Sequence, residues 1–230
     1  MLSYEEFLEN LSEINARIAQ ACKKANRDIS SVRLLPVTKN HPWQVVEYSK
    51  RAGFEYVGEN RVQEALSKMP NVDIKWELIG HLQSNKAPQA VANFDVIESV
   101  DSEKLLVKID AKAKELGKVQ KVLIQVNTAQ DDAKFGLDDA HAKSIVKKAL
   151  ELENIQLNGL MTIGFLDENL EVARLCFSKL RQLKEALQAE FNIELKELSM
   201  GMSGDLEQAI EEGSTIIRVG TALFGERHYE

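Results

Sequence analysis

The chain has 230 residues, with 29 Lys and Arg against 36 Asp and Glu, for a formal net charge of −7. That length supports one large core and is common for an α/β barrel folded as a single domain. The acidic balance argues against the basic surface that nonspecific nucleic-acid binding needs. No window holds the ~18 apolar residues of a membrane span. Glu5 and Glu6 stand where a secretory leader would carry bases, so a soluble, cytoplasmic protein is expected. Cys22 and Cys176 sit in helix-like surroundings without metal-type spacing, which predicts two reduced thiols and no metal site.

Short β-type runs alternate with longer amphipathic stretches. Residues 1–26 predict a helix ahead of the first strand, because Leu8, Leu11, Ile14, Ile18 and Ala21 recur at three- and four-residue steps. Strand candidates follow at 33–38, 56–58, 75–79, 96–99, 121–127, 156–162, 197–200 and 215–219. Helix-like segments lie between them at 42–52, 61–68, 85–92, 102–116, 138–152, 169–189 and 205–212. Asp101 is a candidate cap for the segment at 102–116. Asp138 and Asp139 place acids in a first turn, where the helix dipole favours them. Gly53 and Gly117 follow helical patterns, as left-handed stops require. Strands separated by helices, without hairpin signals, predict parallel pairing through right-handed crossovers. The expected architecture is α/β: a single (β/α)8 TIM barrel with an extra N-terminal helix, one domain over residues 1–230. A doubly wound open sheet is the alternative.

In a barrel, chemistry collects at the carboxyl ends of the strands. Lys39 follows the first strand in Leu34-Leu35-Pro36-Val37-Thr38-Lys39, and an amine held at such a mouth can lose its proton and attack an aldehyde. After the seventh strand, Ser203 with Gly201 and Gly204 looks like a place for a phosphate; after the eighth, Gly220 and Thr221 do as well. Arg218 falls on the same strand face as Gly220. It either pairs with an internal carboxylate or donates to a ring nitrogen of a heterocyclic cofactor. His81 is either a proton carrier or part of a strand-to-helix turn. Asn60 either contacts a ligand edge or ties down its own turn, and Met161 reads first as core. Lys134-Phe135-Gly136 reads as a tight loop.

At these residues the chain resembles the pyridoxal-phosphate homeostasis protein family, also described as the proline synthase co-transcribed homologue family. The resemblance is carried by Leu35–Lys39, Gly58–Glu64, Trp76–Lys86, Gly159–Ile163, Leu198–Ser203 and Arg218–Gly225. It implies a barrel like the N-terminal domain of alanine racemase, with pyridoxal 5′-phosphate as cofactor. By position, Lys39 would hold the cofactor as an aldimine and Ser203, Gly220 and Thr221 would hold its phosphate. Arg218 would face the pyridine nitrogen, while Asn60, His81 and Met161 would line the ring. The resemblance implies a part in vitamin B6 and amino-acid homeostasis without catalytic residues. Pyridoxal-phosphate-dependent apoenzymes are the expected partners, with no nucleic acid and no membrane, and the expected state is a monomer. A weak amino-acid racemase is the alternative. A cofactor-free aldolase-like barrel using Lys39 on a phosphorylated sugar stands as a third reading.

Overall fold

The computed structural model describes residues 2–129, 135–164 and 169–226. Eight parallel strands form one sheet: β1 Arg33–Pro36, β2 Tyr56–Glu59, β3 Lys75–Leu78, β4 Val96–Val100, β5 Gln120–Gln125, β6 Ile155–Met161, β7 Glu197–Ser199 and β8 Ile216–Val219. From β2 onward each pairs in parallel with the next, and β8 pairs with β1. A bridge from Val37 to Gly58 closes the circle between β1 and β2. The barrel is therefore closed, and the open-sheet alternative is set aside.

Between the strands run α2 Gln44–Arg51, α3 Val62–Lys68, α4 Ala87–Asn93, α5 Glu103–Glu115, α6 Asp139–Leu150, α7 Leu170–Phe191 and α8 Leu206–Glu211. Before them comes α1 Tyr4–Lys24, and α9 Thr221–Phe224 follows β8. Helix α1 starts on a capping box, with Glu6 N–H donating to Ser3 Oγ at 3.1 Å and Ser3 N–H to Glu6 Oε2 at 2.7 Å. Its buried face is Phe7, Ile14, Ile18, Ala21 and Cys22, whereas Leu8 is exposed. Ile14, Ile18 and Ala21 are buried as expected and Leu11 packs against the core, but Phe7 rather than Leu8 completes the face, because Phe7 stacks on Phe224 of α9, their centroids 5.6 Å apart.

Gly53 and Gly117 have φ of 90° and 64°, the left-handed stops that their positions call for. Asp101 does not cap α5: Ser102 takes that role, accepting from Leu105 N–H. Asp138 caps α6 through His141 N–H. Lys134 lies outside the described residues. Gly136 has φ of 125°, and a Cβ there would meet the Asn127 nitrogen at 2.7 Å, so the 135–137 turn needs glycine. Among the described residues, no helix is long and apolar enough to cross a membrane. Cys22 and Cys176 are both buried and unpaired with each other.

The main core fills the space between the strands' outer face and the helices, with Trp76, Leu78, Ile97, Ile124, Leu160 and Ile217 packed against the helical layer. The inward face of the sheet is mixed. Leu35, Val37, Ile79 and Ile216 form one small apolar cluster there, and Val96, Leu123 and Met161 another. Glu77, Glu98, Ser199 and Arg218 are buried alongside them.

Candidate functional site at the carboxyl end of the barrel

Lys39 stands two residues beyond the last bridge of β1, on a corner held from behind. Thr38 Oγ1 donates to Glu59 Oε1 at 2.6 Å, and Lys68 Nζ donates to the Thr38 carbonyl at 2.8 Å. Lys68 also pairs with Glu59 at 2.6 Å and Glu64 at 2.8 Å, and Glu64 accepts from the Asn40 backbone N–H. Asn40 adopts φ of 60°, which turns the chain sharply after the lysine. Burial pushes the Glu59 carboxyl above its usual range, against the pull of Lys68. The half-buried Lys39 thus projects from a backbone with little freedom to move.

The two glycine-bearing loops meet beside it. Val37 N–H donates to the Val219 carbonyl at 2.8 Å, and a Cβ on Gly220 would lie 3.1 Å from the Val37 carbonyl. Gly220 therefore packs directly against the strand that leads into Lys39. Across the groove, Ala222 N–H points to Ser203 Oγ at 3.4 Å, which joins the loop after β7 to the start of α9. The Ser203 loop is shaped by Asp205, whose Oδ1 accepts Met202 N–H at 2.6 Å. It is also held from α1: Arg17 Nη2 donates to the Ser203 carbonyl at 3.0 Å while Arg17 forms a two-pronged contact with Glu207. Gly201, at φ of 95°, has no room for a Cβ beside Ala209.

Arg218 lies inside the barrel beneath this rim, 4% exposed. Its Nη1 donates to Ser199 Oγ at 2.7 Å and its Nη2 to the Thr162 carbonyl at 2.7 Å. Burial lowers its pKa, and Glu98 and Asp205 oppose that shift. Met161 is enclosed with Val96 and Leu123 and forms part of the barrel floor.

Asn60 and His81 stand on the loops after β2 and β3. A Cβ on Gly80 would fall 2.3 Å from the Asn60 carbonyl, so the two loops pack backbone to backbone. His81 Nδ1 lies 2.9 Å from Asp101 Oδ2, and its ring stacks on Phe135 at 3.8 Å between centroids. Burial raises the Asp101 carboxyl, against the pull of His81. A groove of about 290 Å³ runs outside these loops, lined by Asn60, Arg61, His81, Leu82 and Lys86 among others. A second cavity, of about 160 Å³, opens at the amino end of the strands, with Arg33, Tyr56, Glu77 and Lys121 on its wall.

The structure thus gathers Lys39, Ser203, Gly220 and Thr221 at one end of the barrel. Arg218 and Met161 lie below them, and Asn60 and His81 flank them on neighbouring loops. Sequence reasoning missed the supports: Glu59, Glu64 and Lys68 behind Lys39, and Arg17 under Ser203. Glu59 and Glu64 do fall within the stretch Gly58–Glu64. Nothing in the local pattern distinguishes Arg17 or Lys68 from any helical surface cation.

A parallel barrel with a half-buried lysine and two glycine-bearing loops at its carboxyl rim defines the class to which the comparisons also lead: the family model described as alanine racemase, N-terminal domain, matches residues 10–228. The chain resembles the "Pyridoxal phosphate homeostasis protein" of Aquifex aeolicus, with 42% identity over 224 residues, covering 96% of this chain and 98% of that protein. It is also similar to the structure of PipY from Synechococcus elongatus with PLP bound, at 40% identity and a TM-score of 0.81, covering 92% of this chain and all of that one. An alanine racemase from Clostridium difficile shares the fold at 16% identity and a TM-score of 0.74, covering 94% of this chain and 56% of that one. The chain belongs to the pyridoxal phosphate homeostasis protein family.

Proposed function

We propose that this barrel domain, spanning residues 1–230, binds pyridoxal 5′-phosphate through Lys39 and serves cofactor homeostasis as a carrier without turnover of its own. The observation that carries the reading is the convergence at one rim: Gly220 packs against Val37, two residues from Lys39, and Ser203 meets the first turn of α9. When bound, the cofactor supplies an aldehyde that condenses with amines and an electron-withdrawing ring.

The residues present fit that group. In the proposed pose, Lys39 Nζ meets the aldehyde carbon. Ser203 and Thr221 offer hydroxyls to the phosphate, and the backbone of Gly220-Thr221 approaches it without side-chain bulk. The Nε–H of Arg218 has no acceptor among the described residues, as a partner for a heteroaromatic nitrogen requires. Arginine is a donor only, so the ring nitrogen beside it stays unprotonated and the ring is a weaker electron sink. That favours holding over catalysis. Asn60 and His81 border the ring from their loops, and Met161 supports it from below.

The purified protein, supplied with pyridoxal phosphate, is expected to show a near-visible absorbance band that Lys39→Ala abolishes. A wild-type protein that stays colourless in excess cofactor overturns the proposal. Size-exclusion chromatography with light scattering checks the monomer, and transfer of labelled cofactor to an apoenzyme checks the carrier role.

One observation favours a second reading. The His81–Asp101 contact has the form of an imidazole oriented by a carboxylate, a common acid/base arrangement. A weak racemase would exchange the α-protons of amino acids in heavy water faster than free cofactor does, and His81→Gln would remove the excess.

A further inference from the structure

Barrel interiors are normally filled by apolar side chains, yet this one holds a connected column of buried polar groups. It runs from Arg33 on β1 through Glu77 on β3 and Glu98 on β4 to Ser199 on β7 and Arg218 on β8. Glu98 and Ser199 are 0% exposed and Glu77 is 1% exposed. Buried charges are costly unless paired, so the column calls for an account of what each bond does.

The direction of each bond is fixed by its donors. Arginine has no acceptor, so Ser199 Oγ accepts from Arg218 Nη1 at 2.7 Å. The single Ser199 proton then goes to Glu98 Oε2, 2.5 Å away. Thr162 takes Nη2 through its carbonyl, and the Thr162 hydroxyl donates to the Val126 carbonyl at 2.8 Å. Both terminal nitrogens of the guanidinium are therefore anchored, and Nε has no acceptor among the described residues. Glu98 itself comes no nearer to Arg218 than 4.0 Å.

We propose that Glu98, acting through Ser199, is a positioning residue that locks the Arg218 guanidinium with its Nε–H presented to the ring nitrogen of the bound cofactor. This rests on the reading of the site as one for pyridoxal phosphate. Glu77 completes the arrangement. Its carboxyl interacts electrostatically with Glu98, and Glu98 Oε1 has no hydrogen-bond partner among the described residues. Burial, and then the Glu98 charge, push Glu77 well above the usual carboxylate range; Arg33, 2.9 Å away, opposes this and is outweighed. Glu98 Oε2 is the acceptor to which Ser199 donates.

Two measurements separate this proposal from the functional reading beneath it. In the apoprotein, the Arg218 Nε–H resonance is identified by its loss in Arg218→Lys. It is expected to shift and exchange faster in Ser199→Ala and Glu98→Ala, and to return towards wild type in Ser199→Thr and Glu98→Gln, which keep an oxygen in place. An unchanged resonance in Ser199→Ala overturns the proposal, and the serine variants decide it if Glu98→Ala does not fold. In the second measurement, wild type is titrated with pyridoxal phosphate. Ser199→Ala is expected to lower affinity about ten- to a hundredfold and to move the absorbance maximum of the bound cofactor, with recovery in Ser199→Thr. Wild-type affinity and spectrum in Ser199→Ala overturn the proposal. A wild type that binds nothing overturns the functional reading instead and leaves the resonance to decide how Arg218 is held.

Discussion

Single side chains divide here into those that would touch a ligand and those that hold others still. Ser203 and Thr221 belong to the first group in the proposed pose. Replacing either by Ala is expected to cost about 1–3 kcal/mol of cofactor binding, because a phosphate oxygen loses its donor; equilibrium titration checks it, and unchanged affinity in both variants would show that the phosphate lies elsewhere. Lys68 belongs to the second group. It is 5% exposed and serves Thr38, Glu59 and Glu64 together. Removing one partner of a buried pair strands the other, so Lys68→Ala is expected to destabilise the protein by about 3–5 kcal/mol in urea unfolding. The low end is favoured, since burial already raises the Glu59 carboxyl against the pull of Lys68. The sequence singled out Lys39 but not how its corner is held, because Glu59, Glu64 and Lys68 reach the neighbouring Thr38 and Asn40 only after β2 and α3 have folded back. Arg218 was legible as an inward-facing arginine with two alternatives, and the structure bears on the first, an internal carboxylate. Its guanidinium binds Ser199 and Thr162 and lies near an internal carboxylate, while Nε is left over.

At the scale of elements, α1 works as a brace for the rim. Arg17 grips the Ser203 carbonyl, and Asn10 Nδ2 donates to the Leu223 carbonyl at 3.0 Å. One helix therefore reaches both the Ser203 loop and α9. Half-exposed ion pairs contribute little to stability, so Arg17→Ala is expected to cost about 1 kcal/mol or less in unfolding. It is nonetheless expected to weaken cofactor binding, because the Ser203 turn loses its outer support. Equal losses in stability and affinity would count against a bracing role. Helix positions were legible from apolar periodicity, and their ends mostly from glycines and capping residues. The misreading of Asp101 has a physical cause. A carboxylate one residue before a Ser cap looks like a cap in sequence, but in the fold it is drawn to His81 by the neighbouring loop. The burial of Phe7 rather than Leu8 on α1 has a similar origin, since Phe7 gains a ring partner in α9 that no local pattern reveals.

Across the whole molecule, the barrel was legible because eight β-runs separated by helices permit few topologies. Its charged interior was not. Glu77, Glu98, Ser199 and Arg218 lie on four different strands, and only closure of the sheet brings them together. That interior has a consequence for stability against pH. The Glu77 carboxyl is raised in the folded state, so the native protein binds a proton that the unfolded chain releases at lower pH. This group's contribution is therefore best below the ordinary carboxylate range, and it worsens as pH rises through the raised value. Glu77→Gln removes the titration. The variant's thermal midpoint is expected to gain on wild type as pH is raised from acid to alkaline, and a constant difference across that range would show that Glu77 titrates normally.

The pairing of β1 with β8 also sets an order in time. Lys39 emerges from the ribosome well before Ser203 and the Gly220-Thr221 turn. Until Ile216 reaches Arg33, the sheet lacks its closing strand beside β1. A nascent chain halted before Gly201 would thus carry Lys39 without the two glycine-bearing loops, and on the proposed reading cofactor capture is expected to await synthesis of β8.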